Sequence, residues 1–312
     1  MRLLEFYNVF PDEQTCKLEF IKNRLEEGVI CKKCGSKQHY WKKKREQWEC
    51  KSCNHRTTIK SGTVMENSKL PFSAWFMAMH LITSTKKSFS AKEVQRQLAF
   101  KRYEPVWAML HKLRAIMGLR DDEYMLYGEN ELDDGFFETV SIRGKNEIRK
   151  RGKGSQKQTT VIVAAESIKI QDEKTIKKHS KDRKLGFVKM KVINSLKKKE
   201  LTQNVKSIIH EGSSIISDGS NSYNDLKDSY KHESMIVTPK ESSKMLPWVH
   251  TTISNAKRLL LDVHHRIDDG FLQNYLNEFV YKLNRRYFKD LFSRLLKISV
   301  KYRWNYLGER YG

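Results

Sequence analysis

Hydrophobic positions in this chain change their period twice, and the changes divide it into segments of different architecture. Over residues 1–28 apolar side chains recur at near-helical spacing, at Phe6, Val9 and Phe10 and then at Leu18, Phe20, Ile21 and Leu25. Pro11 interrupts the pattern, so two short helices are expected, with Cys16 buried on the second. Helical spacing returns near Leu70 and carries one helix to about Thr83. Ser90 followed by Glu93 has the form of a capping box and opens a short helix through Leu98. A third helix is expected over 103–117, with Val106, Trp107, Leu110, Leu113 and Ile116 on one side. The last two, joined by a short basic turn, outline a helix-turn-helix.

Past an acidic and polar boundary at 119–128 the apolar runs shorten. Those at 132–140, 159–165 and 185–193 read as strands, 201–209 as a helix, and 214–217 and 235–237 as two further strands. Three strands, a helix and a strand that ends on an acid form the layout of a ribonuclease H-like α/β fold. The last third is helical again, over 248–261 and 271–283, with Ile253, Leu260 and Leu261 available to the sheet.

Five cysteines add a metal site to this picture. Cys31-Lys-Lys-Cys34 and Cys50-Lys-Ser-Cys53 each turn two thiolates toward one point, and two such knuckles complete a tetrahedral zinc site. Gly35 and Asn54 follow the two pairs, and both tolerate the positive φ that a tight knuckle needs. Aromatic strand formers at 39–41 and 47–49 flank a basic tip, Lys42, Lys43, Lys44 and Arg45. A zinc ribbon is expected, the metal standing in for a core that so short a segment cannot build. His39 and His55 lie nearby, but four cysteines already fill the site. Close pairs of this kind belong to a cytosolic metal site and not to a secreted disulfide framework.

Charge then names the class of partner. In 312 residues, 60 Lys and Arg stand against 37 Asp and Glu, a formal net charge of +23, which calls for a polyanion such as nucleic acid. No apolar run approaches the roughly 18 residues of a membrane span, and no signal peptide is expected. The basic cluster around Arg149, Lys150 and Arg151 leads out of the first strand of the sheet. Arg102 and Lys112 belong to the helix-turn-helix outline. Within the sheet, the stretches 131–137 and 213–220 each carry an apolar run into a carboxylate beside a glycine. One Asp-Gly is turn chemistry. Two such acids, Asp133 and Asp218, on neighbouring strands would hold Mg²⁺ ions of the kind that drive in-line displacement at phosphorus.

The expected architecture is therefore multidomain α+β, with N-terminal helices over 1–28, a zinc ribbon over 29–66 and a helix-turn-helix-like DNA-binding region over 67–120. An α/β ribonuclease H-like catalytic domain follows over 125–300. With the ribbon, the stretches 103–114, 131–137, 217–219, 246–258 and 275–286 give the whole chain a close resemblance to a known group. It resembles the DDE-type insertion-sequence transposases of the insertion-sequence-1595 (ISXO-like) group. The resemblance implies a triad of metal-binding side chains, of which the first is Asp133, the second Asp218 and the third Asn255, where many relatives place Glu. Asp134 receives no catalytic role. Asp262 and Glu278 stand as alternative third ligands, Lys257 and Arg258 are placed to meet phosphate, and His250 orients a ligand or is simply hydrogen-bonded. The implied function is binding of double-stranded DNA at element ends and Mg²⁺-dependent strand cleavage and strand transfer, with structural Zn²⁺. The implied setting is a homo-oligomer on DNA, cytoplasmic and nucleoid-associated in a bacterium. A catalytically inactive DNA-binding protein or repressor is the alternative, supported by Asn255 and opposed by the intact Asp133 and Asp218. A plain nuclease would differ only in the fate of the 3′-end.

Electrostatic contact with DNA has a measurable signature. Binding should weaken steeply with salt, with a log-log slope of several units. Replacing Lys42, Lys43, Lys44 and Arg45 together should lower that slope and leave target preference unchanged. A shift in preferred sequence would mean that the ribbon tip reads bases.

Overall fold

A computed structural model describes residues 1–140, 158–170, 182–235 and 245–304 of the chain. The chain forms two compact units, one of residues 121–286 and one combining residues 1–120 with the chain from Tyr287 onward.

The first unit begins with two helices, α1 (Leu3–Val9) and α2 (Glu13–Glu27), parted at Pro11 as expected. Asp12 caps α2 by accepting from the Thr15 amide at 2.7 Å. A three-stranded antiparallel sheet follows, β1 (His39–Lys42), β2 (Gln47–Cys50) and β3 (Arg56–Thr58), with β2 in the middle. Next come α3 (Phe72–Ser84), α4 (Ala91–Gln97) and α5 (Glu104–Asp121). Ser90 caps α4 through the Glu93 amide at 3.0 Å. Pro71 offers α3 no side-chain cap, and the Glu13 carboxylate takes its place, accepting from the amides of Phe72 and Ser73 at 2.8 and 2.7 Å. On α5 burial extends well beyond one face. Met109, Leu110, Leu113, Ile116 and Met117 are enclosed, and so is Arg114, whose guanidinium donates to the Phe89 carbonyl at 3.1 Å. Trp107 is only half-buried and packs on the His111 ring.

The second unit is mixed α/β. Its five-stranded sheet has the order β6-β5-β4-β7-β8. Here β4 (Glu129–Glu138), β5 (Gln158–Lys169) and β6 (Arg183–Ile193) pair antiparallel, while β7 (Ser214–Asp218) and β8 (Lys231–Met235) continue parallel to β4. One face of the sheet is covered by α6 (Lys198–Lys206) and the 3₁₀ turns at Asn221–Asp228, which enclose Leu132, Ile162, Ala164 and Ile215. The other face carries α7 (Pro247–Val263) and α8 (Leu272–Asn284) over Phe137, Val161, Val163 and Val188.

Three details differ from the sequence expectation. The fifth strand lies at Lys231–Met235, ahead of the expected 235–237, and Ile236 and Val237 fall outside the described residues. It is a polar edge strand, recruited by parallel pairing with β7, and an apolar pattern cannot find such a strand. Leu261 is 61% exposed although Leu260 is buried, because one helical step turns it off the sheet. At Tyr287 the chain rejoins the first unit instead of continuing the second to 300. The reason is α9 (Leu291–Lys301), whose Phe292 ring lies 5.6 Å from Phe6, 5.5 Å from Phe10 and 5.8 Å from Phe76. Among the described residues no helix is long and apolar enough to cross a membrane.

The outer edge of β6 is closed by side-chain amides. Asn284 accepts from the Val188 amide at 2.8 Å and donates to its carbonyl at 2.9 Å. Gln273 accepts from Val192 at 2.8 Å and donates to the Met190 carbonyl at 3.0 Å. Both reside on α8, so this helix takes the place of a sixth strand and protects the edge. Asn284→Ala leaves a buried N–H and C=O unpaired and should cost about 2–4 kcal/mol in urea unfolding. A loss below about half a kcal/mol would mean that the amide is replaceable by water.

Candidate metal centres

The ribbon's four sulfurs converge. Those of Cys31, Cys34, Cys50 and Cys53 all lie within 4.8 Å of one another, with Cys31–Cys53 and Cys34–Cys50 each at 3.5 Å. Tetrahedral Zn–S bonds of about 2.3 Å require sulfur separations of about 3.8 Å, so the set fits zinc. Both knuckles close as the spacing requires. Gly35 donates to Cys31 at 2.9 Å and Asn54 to Cys50 at 3.0 Å, with φ of +75° and +55°. His39 and His55 are outside the set. Lys42, Lys43, Lys44 and Arg45 are exposed at the turn between β1 and β2, beside the exposed rings of Tyr40 and Trp41.

The sheet builds the second centre. Leu132 on β4 pairs with Ser217 on β7, and both side chains are buried on the α6 side. Side chains alternate along a strand, so the next residues, Asp133 and Asp218, emerge together on the α7 side. Adjacent strands are about 4.8 Å apart, which places the two acids side by side at the ends of parallel strands. Both are half-buried. Asp133 accepts from the Asp134 amide at 2.8 Å and Asp218 from the Ser220 amide at 3.2 Å. Asp134 points through the sheet to the other face, where the Tyr223 hydroxyl donates to it at 3.1 Å. Burial pushes the Tyr223 phenol up, and Asp134, Asp133 and Asp218 push it further. Three carboxylates that act on one phenol mark a concentrated negative field, and hard oxygen donors in such a field suit Mg²⁺ or Mn²⁺.

Glu131 fixes the helix above this pair. Leu246 has no side-chain acceptor to cap α7, and Pro247 stands at its first turn. The Glu131 carboxylate, 3% exposed, accepts from the amides of Trp248 and Val249 at 2.7 and 3.0 Å. Glu131 shares a strand face with Asp133, so the clamp fixes α7 in phase against β4. A β-carbon added at Gly135 would meet Ile253 at 3.4 Å, and the Lys257 ammonium lies 5.6 Å from the centre of the Phe137 ring. His250 reaches Asp133, with Nδ1 at 3.7 Å from Oδ2. The sequence reading missed Glu131, although an uncapped helix that opens on proline is a signal that some remote acceptor must serve.

The other expected site residues are dispersed. Asn255 is exposed and stands about 140° around the helix from His250. Asp262 is exposed, and Glu278 is buried in an ion pair with Lys282 at 3.4 Å. Arg102 and Arg258 are exposed and Lys257 is half-buried. Lys112 is half-buried, its ammonium donates to the Glu66 carbonyl, and burial lowers its pKa. Arg149, Lys150 and Arg151 lie outside the described residues. Among the described residues only the four cysteines form a set of three or more Cys, His, Asp or Glu ligands this close together.

Comparison with known proteins adds a family. A profile of the ISXO2-like transposase domain matches residues 125–284, half of the chain. No curated protein matches the sequence. Among solved structures, the Mos1 strand transfer complex is 11% identical, with a TM-score of 0.29 over 76% of this chain and 80% of that one. A pre-cleavage Mos1 transpososome is 10% identical, with a TM-score of 0.24 over 73% and 78%. The Mos1 mariner paired end complex with Mn is 11% identical, with a TM-score of 0.29 over 72% and 78%. Superpositions that weak carry no argument.

The ribbon is the more direct centre to test. Freshly purified protein should contain about one zinc per chain. Cys50→Ser should release it and melt the ribbon while the five-stranded unit stays folded. Metal analysis that finds no zinc would contradict the assignment.

Proposed function

The chain belongs to the ISXO2-like transposase family, and on that footing we propose that it binds DNA element ends and catalyses Mg²⁺-dependent strand cleavage and strand transfer. The observation that carries this reading is the placement of Asp133 beside Asp218 on one face of parallel β4 and β7. A sheet of three antiparallel strands continued by two parallel ones supports a ribonuclease H-like catalytic unit.

Asp133 and Asp218 would hold the divalent ions. When bound, the metal supplies Lewis-acid activation of the attacking oxygen and stabilisation of the leaving one at the scissile phosphate. The protein then needs no covalent nucleophile. Lys257 and Arg258, on the helix that crosses the site, offer cations to the DNA backbone. Asn255 carries no charge, so its share in the chemistry is the smaller one.

DNA is held by the first unit. The basic ribbon tip meets phosphate, and zinc keeps that tip in shape. The pair α4 and α5 acts as a helix-turn-helix, with contacts limited to the exposed Arg102 and the first turn of α5, since the rest of that helix is largely enclosed. Two ends are joined by at least two copies of the chain, in the bacterial cytoplasm where the DNA is. An inactive repressor would need neither the intact acid pair nor the buried clamp that organises α7 above it.

Labelled DNA ends test the reading. Asp133→Ala and Asp218→Ala should each abolish cleavage and joining and leave end binding intact, whereas Asn255→Ala should reduce activity less than either. A variant at Asp133 or Asp218 that still joins ends would contradict the assignment. Cleaved but never joined product from the unaltered protein would make it a nuclease.

A further inference from the structure

We propose that Asp134 and Tyr223 are positioning residues that fix the spacing of Asp133 from Asp218. The proposal rests on the transposase reading, in which those two acids hold metal. Asp134 and Tyr223 act through the acids and not on the ion.

Backbone pairing between the two strands stops short of the acids. It runs from Glu129–Ser214 to Leu132–Ser217, and Asp133 and Asp218 stand one step past its end. Each is tied on its outer side, Asp133 to Val163 of β5 and Asp218 to Met235 of β8. Those ties hold the acids to different halves of the sheet. Parallel pairing is the weaker kind per residue, so the two strands can splay beyond their last pair.

The Tyr223 hydroxyl joins the strands just past that end, donating to Asp134 Oδ1 at 3.1 Å. From this bond a run of hydrogen bonds reaches both acids. On one side the Asp134 amide donates to Asp133 Oδ1 at 2.8 Å. On the other, the Tyr223 amide donates to the Ser220 carbonyl at 3.1 Å, and the Ser220 amide donates to Asp218 Oδ1 at 3.2 Å. The Asp218 carboxylate thus holds the entry to the 3₁₀ turns at Asn221–Asp228, and Tyr223 anchors those turns to β4.

Tyr223 is itself held firmly. It is fully buried in one cluster with Leu132, Ile162, Ile215 and Leu226, so its ring cannot swing away without opening that core. Phenylalanine would fill the same space, and packing alone therefore does not account for the hydroxyl. A carboxylate acceptor makes the bond a charge-assisted one. Two-ion chemistry needs such a tie, because its ions stand only about 3.5–4 Å apart. A misplacement of about 1 Å in the reacting groups can cost a hundredfold in rate.

Mn²⁺, added alone to the zinc-loaded full-length protein and followed by electron paramagnetic resonance, reads the site without turnover. Tyr223→Phe removes one oxygen and should weaken Mn²⁺ binding by at least about tenfold. Cleavage of labelled DNA ends in Mg²⁺ should fall by about 10–100-fold while end binding stays intact. Asp134→Ala should match it, and the double variant should be no worse than either single one. Asp134→Asn keeps an acceptor oxygen and should recover most of the loss. That variant decides the matter if Tyr223→Phe does not fold. A bond that served stability alone would lower the urea midpoint and leave Mn²⁺ affinity and cleavage by the folded protein unaltered, which overturns the proposal. Losses that multiply in the double variant overturn it too, as does Asp134→Asn as inactive as Asp134→Ala. Cleavage that persists in Asp133→Ala and Asp218→Ala overturns instead the transposase reading of the pair.

Discussion

Parallel pairing of β7 with β4, from Glu129–Ser214 to Leu132–Ser217, decides where both acids stand. Because side chains alternate along a strand, a slip of one residue would send Asp218 to the opposite face from Asp133. The register is held from below by apolar burial, with Leu132 and Ile215 fully enclosed on the α6 side and Ser217 beside them. It is held at its start by Asn130, whose amide donates to the carbonyls of Gly128 and Tyr127 at 3.1 and 3.4 Å. The core therefore sets where the two acids stand although neither belongs to it.

The same economy appears in the helices. Both α3 and α7 open on proline with no local side-chain cap, and each is started by a glutamate distant in sequence, the exposed Glu13 or the buried Glu131. A local cap fixes only a helix end, whereas a remote one also fixes where that end lies in the fold. For α7 this sets which face looks toward Asp133. Charge-assisted bonds to two amides are worth about 1.5–3 kcal/mol each, enough to hold the phase of a helix whose apolar face alone would tolerate small rotations.

Much of this was legible in the sequence. The two cysteine knuckles were, because Cys-x-x-Cys spacing and the residues Gly35 and Asn54 constrain the backbone locally. The five-stranded sheet was legible in its apolar runs, and the neighbouring placement of Asp133 and Asp218 in their position at the ends of those runs. Strand β8 was not, because its residues are polar and its place comes from β7. Nor was the rotation of α7 over the sheet, since helical periodicity gives the faces of that helix and not which of them turns toward β4. Glu131 sets that rotation from more than a hundred residues away. The fate of the C-terminal helix was hidden for a similar reason, its amphipathic pattern being silent about which unit supplies the aromatic partners of Phe292.

The central claim is that the side-by-side acids hold metal against the scissile phosphate. Sulfur replacing a non-bridging oxygen of that phosphate tests it most directly, because Mg²⁺ binds sulfur poorly and Mn²⁺ binds it better. The account predicts that cleavage of the sulfur-substituted DNA end is slowed strongly in Mg²⁺ and restored in Mn²⁺. Equal rates in the two metals, or cleavage that persists in a chelator, would contradict it.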